Sequence, residues 1–124
     1  MHKALEARRL KREQYIREAQ EYAGEVRDRL GEVCAFLIGS VARGDFNLGS
    51  DIDIIVISDA LPPNPLERSR FLYELARPLI EPKGYTAQEF RQLLSRKHPT
   101  ALAILDEGIL LRDDGVWETV SGEV

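Results

Sequence analysis

The stretch Gly39–Ser58, GSVARGDFNLGSDIDIIVIS, decides the fold of this 124-residue chain. A Gly39-Ser40 pair ends one apolar run, ten residues follow, and Asp51 and Asp53 then open a second apolar run. Side chains of a strand alternate between its faces, so the two aspartates point the same way, about 7 Å apart along the chain. The pattern predicts two strands joined by a loop, with a pair of carboxylates at the start of the second strand.

The residue types in this stretch suit a metal-bound nucleotide. Magnesium prefers oxygen ligands, and it commonly takes one or two protein carboxylates together with phosphate oxygens. Glycine lets the main chain approach a phosphate closely, and a serine hydroxyl and the amides of a following short helix can donate hydrogen bonds to it. We therefore predict Mg²⁺ at Asp51 and Asp53 and a nucleotide phosphate at Gly39 and Ser40. The alternative for each half alone is an ordinary surface turn.

Two further residues of the stretch, Arg43 and Ser50, are candidate nucleotide-binding residues. A guanidinium group is a planar donor that pairs well with phosphate, although a solvated arginine is the alternative at this position. Ser50 directly precedes the first aspartate, and we include it in the same candidate set.

The combination of Gly-Ser, ten residues and Asp-x-Asp resembles the signature of the DNA polymerase β-like nucleotidyltransferase superfamily. Over roughly residues 20 to 117 the chain is similar to the minimal nucleotidyltransferases, the antitoxin-type partners of HEPN proteins. The resemblance implies a nucleotidyltransferase fold and transfer of AMP from ATP to a hydroxyl, with two magnesium ions. It also implies an acceptor in trans, a tyrosine of a HEPN-type all-helical toxin.

The resemblance further implies a third carboxylate on a strand beside the aspartate pair. Glu81, in a segment predicted as an edge strand, matches that place, and its role would be to deprotonate the attacking hydroxyl or to complete the metal shell. The competing candidate is Glu89. Because the sequence from Thr86 to Glu89 has the form of a helix capping box, we prefer Glu81.

Composition bounds the class of protein. The chain is 44% hydrophobic and 31% charged, which is typical of a globular protein, and its length predicts one domain over residues 1–124. The net charge of -4 argues against general nucleic-acid binding. No apolar stretch has the length of a membrane span and the first residues are charged, so we expect a cytoplasmic protein that does not contact membranes. The single cysteine, Cys34, lies in an apolar run and is expected to be buried.

The amino-terminal segment is predicted to be one long helix over Lys3–Leu30. Its apolar residues recur at three- and four-residue steps from Tyr15 onward, which predicts a buried stripe. Residues 1–14 are basic and weakly amphipathic, so we expect them to project into solvent. The alternative is a docking or dimer surface, which would make the protein a homo-oligomer.

The remaining elements complete an α/β (α+β) fold with a small mixed sheet and flanking helices. They are predicted as strands at Val33–Ile38, Asp51–Ser58, Leu79–Tyr85 and Ile109–Leu111, and as helices at Val41–Arg43, Leu66–Arg77, from Thr86 to near His98, at Thr100–Leu105 and around Trp117.

Two classes of function remain open from the sequence. The first is a nucleotidyltransferase that acts on a hydroxyl of a separate protein, since no residues are expected to remain for an acceptor-binding domain. The second is a non-catalytic protein that neutralises a partner by capping it. An intact Asp-x-Asp motif favours the enzyme, and the acidic balance disfavours an RNA-binding module.

Overall fold

The computed structural model describes residues 2–47 and 49–122, which form an α+β domain. The predicted order of helices and strands is confirmed. The elements are α1 (His2–Leu30), β1 (Cys34–Ile38), α2 (Gly39–Arg43), β2 (Ile52–Ile57), α3 (Pro65–Glu74), β3 (Ile80–Tyr85), α4 (Ala87–Ser95), α5 (Pro99–Glu107), β4 (Ile109–Asp113) and α6 (Val116–Ser121).

The four strands form one mixed sheet in the order β3-β2-β1-β4. β1 is antiparallel to both of its neighbours, while β2 and β3 run parallel. Apart from Asp53, the inner strands β1 and β2 are apolar on both faces, as their hydrophobic runs predict. β3 contains Pro82 and is an edge strand, which agrees with the sequence because proline cannot donate a ladder hydrogen bond.

Helices cover both faces of the sheet. On one face, α1 and α3 pack over a cluster that includes Tyr22, Leu37, Ile54 and Leu72. On the other face, α4, α5 and α6 pack over a second cluster, and Trp117 of α6 contacts the rings of Phe36 and Phe90 as expected for a tail helix held to the core. The two inner strands are therefore shielded from water on both faces, which fixes their register.

The two halves of α1 differ in burial. The stripe in the second half is buried as predicted, with Tyr15, Ala19, Tyr22, Ala23 and Val26 inside the core. Residues 2–10 of the first half are exposed on the helix. Arg8 and Arg12, however, are hydrogen-bonded to the main chain beyond β1, so this half is not simply solvated.

The element boundaries differ from the sequence prediction by up to three residues, and two of the differences have a clear cause. α3 ends at Glu74 rather than at Arg77, and Leu75 and Ala76 instead pack against the core. The residue before Pro78 is disfavoured in helical geometry, which explains the early end. α5 begins at Pro99, a residue suited to the first helical turn. His98 is its N-cap, and the His98 side chain accepts a hydrogen bond from the Thr100 amide.

None of the helices within residues 2–47 and 49–122 combines the length and the hydrophobicity that crossing a bilayer requires.

Candidate active site

The predicted site residues meet at one edge of the sheet, where β1 ends and where β2 and β3 begin. Asp53 is the register partner of Ile38 at the end of β1 and of Glu81 on the parallel strand β3. Side chains directly opposite one another in neighbouring strands share a face. The topology therefore brings Asp53, Glu81 and the Gly39 turn together from three separate segments.

Gly39 occupies a position that other residues fit poorly. Its backbone φ is +83°, in the left-handed region that glycine adopts at little cost. A Cβ placed on it would also press against the Asp53 carboxylate, 3.3 Å from Asp53 Cγ and closer still to Oδ2. The turn thus needs glycine both for its conformation and for the close approach of a metal-binding candidate to the main chain.

The carboxylates at this edge repel one another. Asp53 is half-buried, and its pKa is raised above the ordinary value by burial first and then by the charges of Glu81 and Asp51. Lys83 and Arg43 act in the opposite direction but do not cancel the effect. A half-buried carboxylate surrounded by like charges is the environment that a bound cation would relieve.

The donor set fits magnesium by its chemistry. Asp51, Asp53 and Glu81 offer only carboxylate oxygens, which are the ligands that Mg²⁺ prefers. Across the part of the chain that the structure describes, no three His, Cys, Asp or Glu side chains already converge on a point that could hold a metal ion. The three carboxylates therefore lie at the same edge of the sheet and carry the same charge. To bind a cation, their side chains would have to turn towards a common point.

An anionic oxygen of the protein itself lies against the predicted phosphate-binding turn. Glu107, at the end of α5, accepts a hydrogen bond from the Gly39 amide at 2.8 Å and one from Arg43 Nη1 at 3.0 Å, both at Oε2. An amide and a guanidinium that together hold a carboxylate oxygen also have the geometry to hold a phosphate oxygen. Because Glu107 uses the same two donors, a phosphate there would have to displace it.

The other predicted binding residues have defined places. Ser40 is in the first turn of α2, and its carbonyl accepts from the Gly44 amide at 2.8 Å. Arg43 is about half exposed and pairs with both Asp45 and Glu107, so it is neither free in solvent nor remote from the turn. Ser50 closes the loop before Asp51, since its Oγ accepts from the Asn47 amide at 2.8 Å.

The structure separates the two candidate third carboxylates. Glu81 lies beside Asp53, whereas Glu89 accepts from the Thr86 amide at 2.7 Å within a complete capping box and pairs with Arg68 at 2.7 Å. Glu89 thus has the structural role that its sequence context predicts. The roles of Asp51, Asp53 and Glu81 in catalysis and metal binding remain predictions that their positions suit.

Sequence reasoning missed two residues of the site, Glu107 and Lys83. Glu107 is 68 residues from Gly39 in sequence, and no local pattern signals that the end of α5 packs on the turn. Lys83 could have been found from periodicity, because it follows Glu81 by two residues in a strand and so shares its face.

Two comparisons with known proteins bear on the family and the fold of the chain. The model of the nucleotidyltransferase domain family matches residues 19–105. The chain belongs to this family. This nucleotidyltransferase domain is also similar to a crystal structure from Sulfolobus solfataricus, of a protein assigned provisionally as a nucleotidyltransferase, with a TM-score of 0.62 and 19% identity over 83% of this chain and 84% of the other. At that identity the likeness shows the fold alone.

A search of curated proteins gave no match. The family match confirms the resemblance to nucleotidyltransferases inferred from the Gly-Ser and Asp-x-Asp pattern, and it covers the Gly39 turn, the aspartate pair and β3.

Proposed function

We propose that this nucleotidyltransferase domain transfers AMP from ATP to a hydroxyl, a tyrosine, of a HEPN-type all-helical toxin, and so acts as its antitoxin. The observation that carries the catalytic part is the pairing of Asp53 with Glu81 directly beside the Gly39 turn. The proposal is supported by the proximity of these carboxylates to the Gly39 amide and Arg43, the candidate hydrogen-bond donors to phosphate. The toxin partner and the tyrosine come from the resemblance to minimal nucleotidyltransferases.

The chemical step is a displacement at the α-phosphorus of ATP. The hydroxyl oxygen forms a new bond to that phosphorus, the bond to the bridging oxygen breaks, and pyrophosphate leaves. Magnesium, when bound, neutralises the negative charge on the phosphates. Asp51 and Asp53 would hold it, and Glu81 would either accept the proton of the hydroxyl or complete the metal shell.

The chain's other residues would bind and orient the nucleotide. The Gly39 amide and Arg43 would donate to phosphate oxygens at the place where they now hold Glu107. In the described part of the chain, the six helices all pack around the one sheet, and none forms a separate lobe for an acceptor. From the resemblance to minimal nucleotidyltransferases, we propose that a separate protein brings the hydroxyl.

A transfer assay tests the proposal. The domain would be incubated with Mg²⁺, α-labelled ATP and the candidate toxin at a large molar excess over the domain, and the toxin mass would then be measured intact. We expect toxin that is heavier by one nucleoside monophosphate and inactive, only when ATP is present. Asp53→Asn should transfer little or no label, while Glu89→Gln, which changes a carboxylate outside the site, should behave like the wild type.

A protein that neutralises its partner by capping gives a different result. It would need equal amounts of the two proteins and no ATP, and it would leave the toxin mass unchanged. An unmodified but inactive toxin would therefore overturn the enzymatic proposal.

A further inference from the structure

Arg12, in the basic first half of α1, holds the end of the short helix that begins at the proposed nucleotide-binding turn. Its Nε donates to the Val41 carbonyl at 2.9 Å, and its Nη2 donates to the Ala42 carbonyl at 2.6 Å. Carbonyls in the last turn of a helix have no partner within the helix, and a cation there also complements the helix dipole. The planar guanidinium reaches both carbonyls at once, which an ammonium group cannot do in the same way.

Arg8, one turn earlier on α1, extends this contact into the loop that follows α2. Its Nη2 donates to the Gly44 carbonyl at 3.3 Å and also to the Phe46 carbonyl. Its guanidinium lies 4.8 Å from the centre of the Phe46 ring, and that ring packs edge-on against Tyr15 at 5.6 Å. We call Arg8 and Arg12, with the carbonyls that they hold, the arginine clasp.

The clasp acts on a segment that cannot fix its own orientation. α2 has five residues, and a helix of that length is not stable without tertiary contacts. Its first residue is Gly39, whose amide is the proposed hydrogen-bond donor to the phosphate. The loop after α2 leads to Asp51, a proposed metal ligand. Glu107 holds the amino end of α2, and the arginine clasp holds the carboxyl end.

We infer that Arg8 and Arg12 are positioning residues for nucleotide binding, holding α2 and its following loop so that the Gly39 amide faces the phosphate. The inference rests on the proposed function, because it assigns the clasp a role in binding the nucleotide. Both guanidinium groups are engaged with main-chain carbonyls, so they act on the nucleotide through α2 and the loop.

Arg77 provides a matched control for a purely structural effect. It also ties α1 to another part of the chain, with Nη1 donating to the Glu18 carbonyl at 3.4 Å and Nη2 pairing with Glu25 at 3.1 Å. It joins α1 to the segment between α3 and β3 and contacts neither α2 nor the loop before Asp51 in these pairings. Its loss should therefore affect stability without disturbing the turn.

The test measures KM for MgATP and kcat for the wild type and for Arg12→Gln, Arg12→Lys, Arg8→Gln and Arg77→Gln. We expect Arg12→Gln to raise KM about tenfold with a smaller change in kcat, which is the signature of weakened binding. Arg12→Lys should restore part of the loss, Arg8→Gln should raise KM about threefold, and Arg77→Gln should leave KM unchanged. Equal KM values in Arg12→Gln and the wild type, or an equal rise in Arg77→Gln, would overturn the inference.

Hydrogen exchange gives a readout that needs no activity. The Gly44 amide, which donates to the Ser40 carbonyl at 2.8 Å, should exchange faster in Arg12→Gln than in the wild type and should be unchanged in Arg77→Gln. Unchanged exchange in Arg12→Gln would show that the clasp does not hold α2. A wild type that fails to bind MgATP would instead overturn the proposed function, and exchange at Gly44 would still report on the clasp.

Discussion

Near the two ends of β3 lie two carboxylates, Asp53 and Glu89, in opposite electrostatic states. At the beginning of the strand, Asp53 and Glu81 lie side by side, and burial together with like charges raises the pKa of Asp53. Beyond its end, burial also raises the pKa of Glu89, but the Thr86 amide and Arg68 outweigh it and the net pKa is lowered. Glu89 thus has partners that stabilise its negative charge, while Asp53 lies among carboxylates that repel it.

The opposite pKa shifts distinguish a carboxylate that stabilises the fold from one that is available to bind a ligand. A carboxylate that accepts hydrogen bonds from an amide and a guanidinium stabilises the fold and has little capacity left for a ligand. A carboxylate that faces other carboxylates weakens the free fold and gains when a cation arrives. If this comparison is right, replacing Asp53 should mainly change activity, and replacing Glu89 should mainly change stability.

The largest effect is expected for Asp53→Asn. We expect nucleotidyl transfer to fall about a thousandfold, which corresponds to about 4 kcal/mol of transition-state stabilisation. The free energy of unfolding without metal should be unchanged or higher, because a repelled charge is removed. Label transfer from ATP and urea unfolding measure the two effects. A variant that keeps a tenth or more of the activity would contradict the role of Asp53.

The next effect is expected for Gly39→Ala, compared with Gly31→Ala. Both glycines have positive φ, +83° and +91°, so the backbone conformation alone should make each substitution lower the free energy of unfolding by about 1–2 kcal/mol. Only at Gly39 does the new methyl group meet Asp53, whereas at Gly31 nothing lies within 4 Å. We therefore expect activity to drop more than about tenfold in Gly39→Ala and to persist in Gly31→Ala. Equal activities in Gly39→Ala and Gly31→Ala would show that the Gly39 turn is not part of the active site.

A smaller effect is expected for Glu89→Ala. The change removes the reciprocal half of the capping box and the ion pair with Arg68, and it should lower the free energy of unfolding by about 1 kcal/mol. Transfer activity per folded molecule should be that of the wild type. Thermal unfolding and a transfer assay on the same preparation would show both, and a selective loss of activity would reopen the choice between Glu81 and Glu89.

The pH dependence of stability should show the two carboxylates with opposite signs. The folded state raises the pKa of Asp53, so its favourable contribution is present below the ordinary value near 3.9 and is lost as pH rises through the raised pKa. The folded state lowers the pKa of Glu89, so its contribution is present above the ordinary value near 4.3 and is lost as pH falls.

Urea unfolding between about pH 3 and pH 7, in the presence of a chelator, measures this difference. As pH rises, the free energy of unfolding of Asp53→Asn should increase relative to the wild type. That of Glu89→Gln should decrease relative to the wild type as pH rises through the range in which Glu89 ionises. Parallel profiles for the two variants would show that the two environments do not differ as the contacts indicate.

Much of the fold could be predicted because its signals are local. The continuous apolar runs predicted the two inner strands, the three- and four-residue steps from Tyr15 predicted the buried stripe of α1, and Thr86 with Glu89 predicted a helix start. The neighbourhood of Asp53 and Glu81 was anticipated from the family resemblance, and the parallel register of β2 and β3 places them together.

The contacts that could not be predicted join residues far apart in sequence. Arg12 and Val41 are 29 residues apart, and Gly39 and Glu107 are 68 residues apart. A basic residue on an exposed helix has the same local pattern whether it is solvated or bonded to a distant carbonyl. Only the packing of α1 and α5 around the sheet decides between these cases.

The reactivity of Cys34 can report on the opening of the sheet. It is the single cysteine of the chain, it lies at the start of the inner strand β1 with no exposed surface, and burial raises its pKa to about 12. A maleimide reacts with an exposed thiolate, so labelling must wait until β1 opens. The rate of modification therefore times the opening of the centre of the sheet, and a nucleotide that binds the folded state should slow it without any engineered probe.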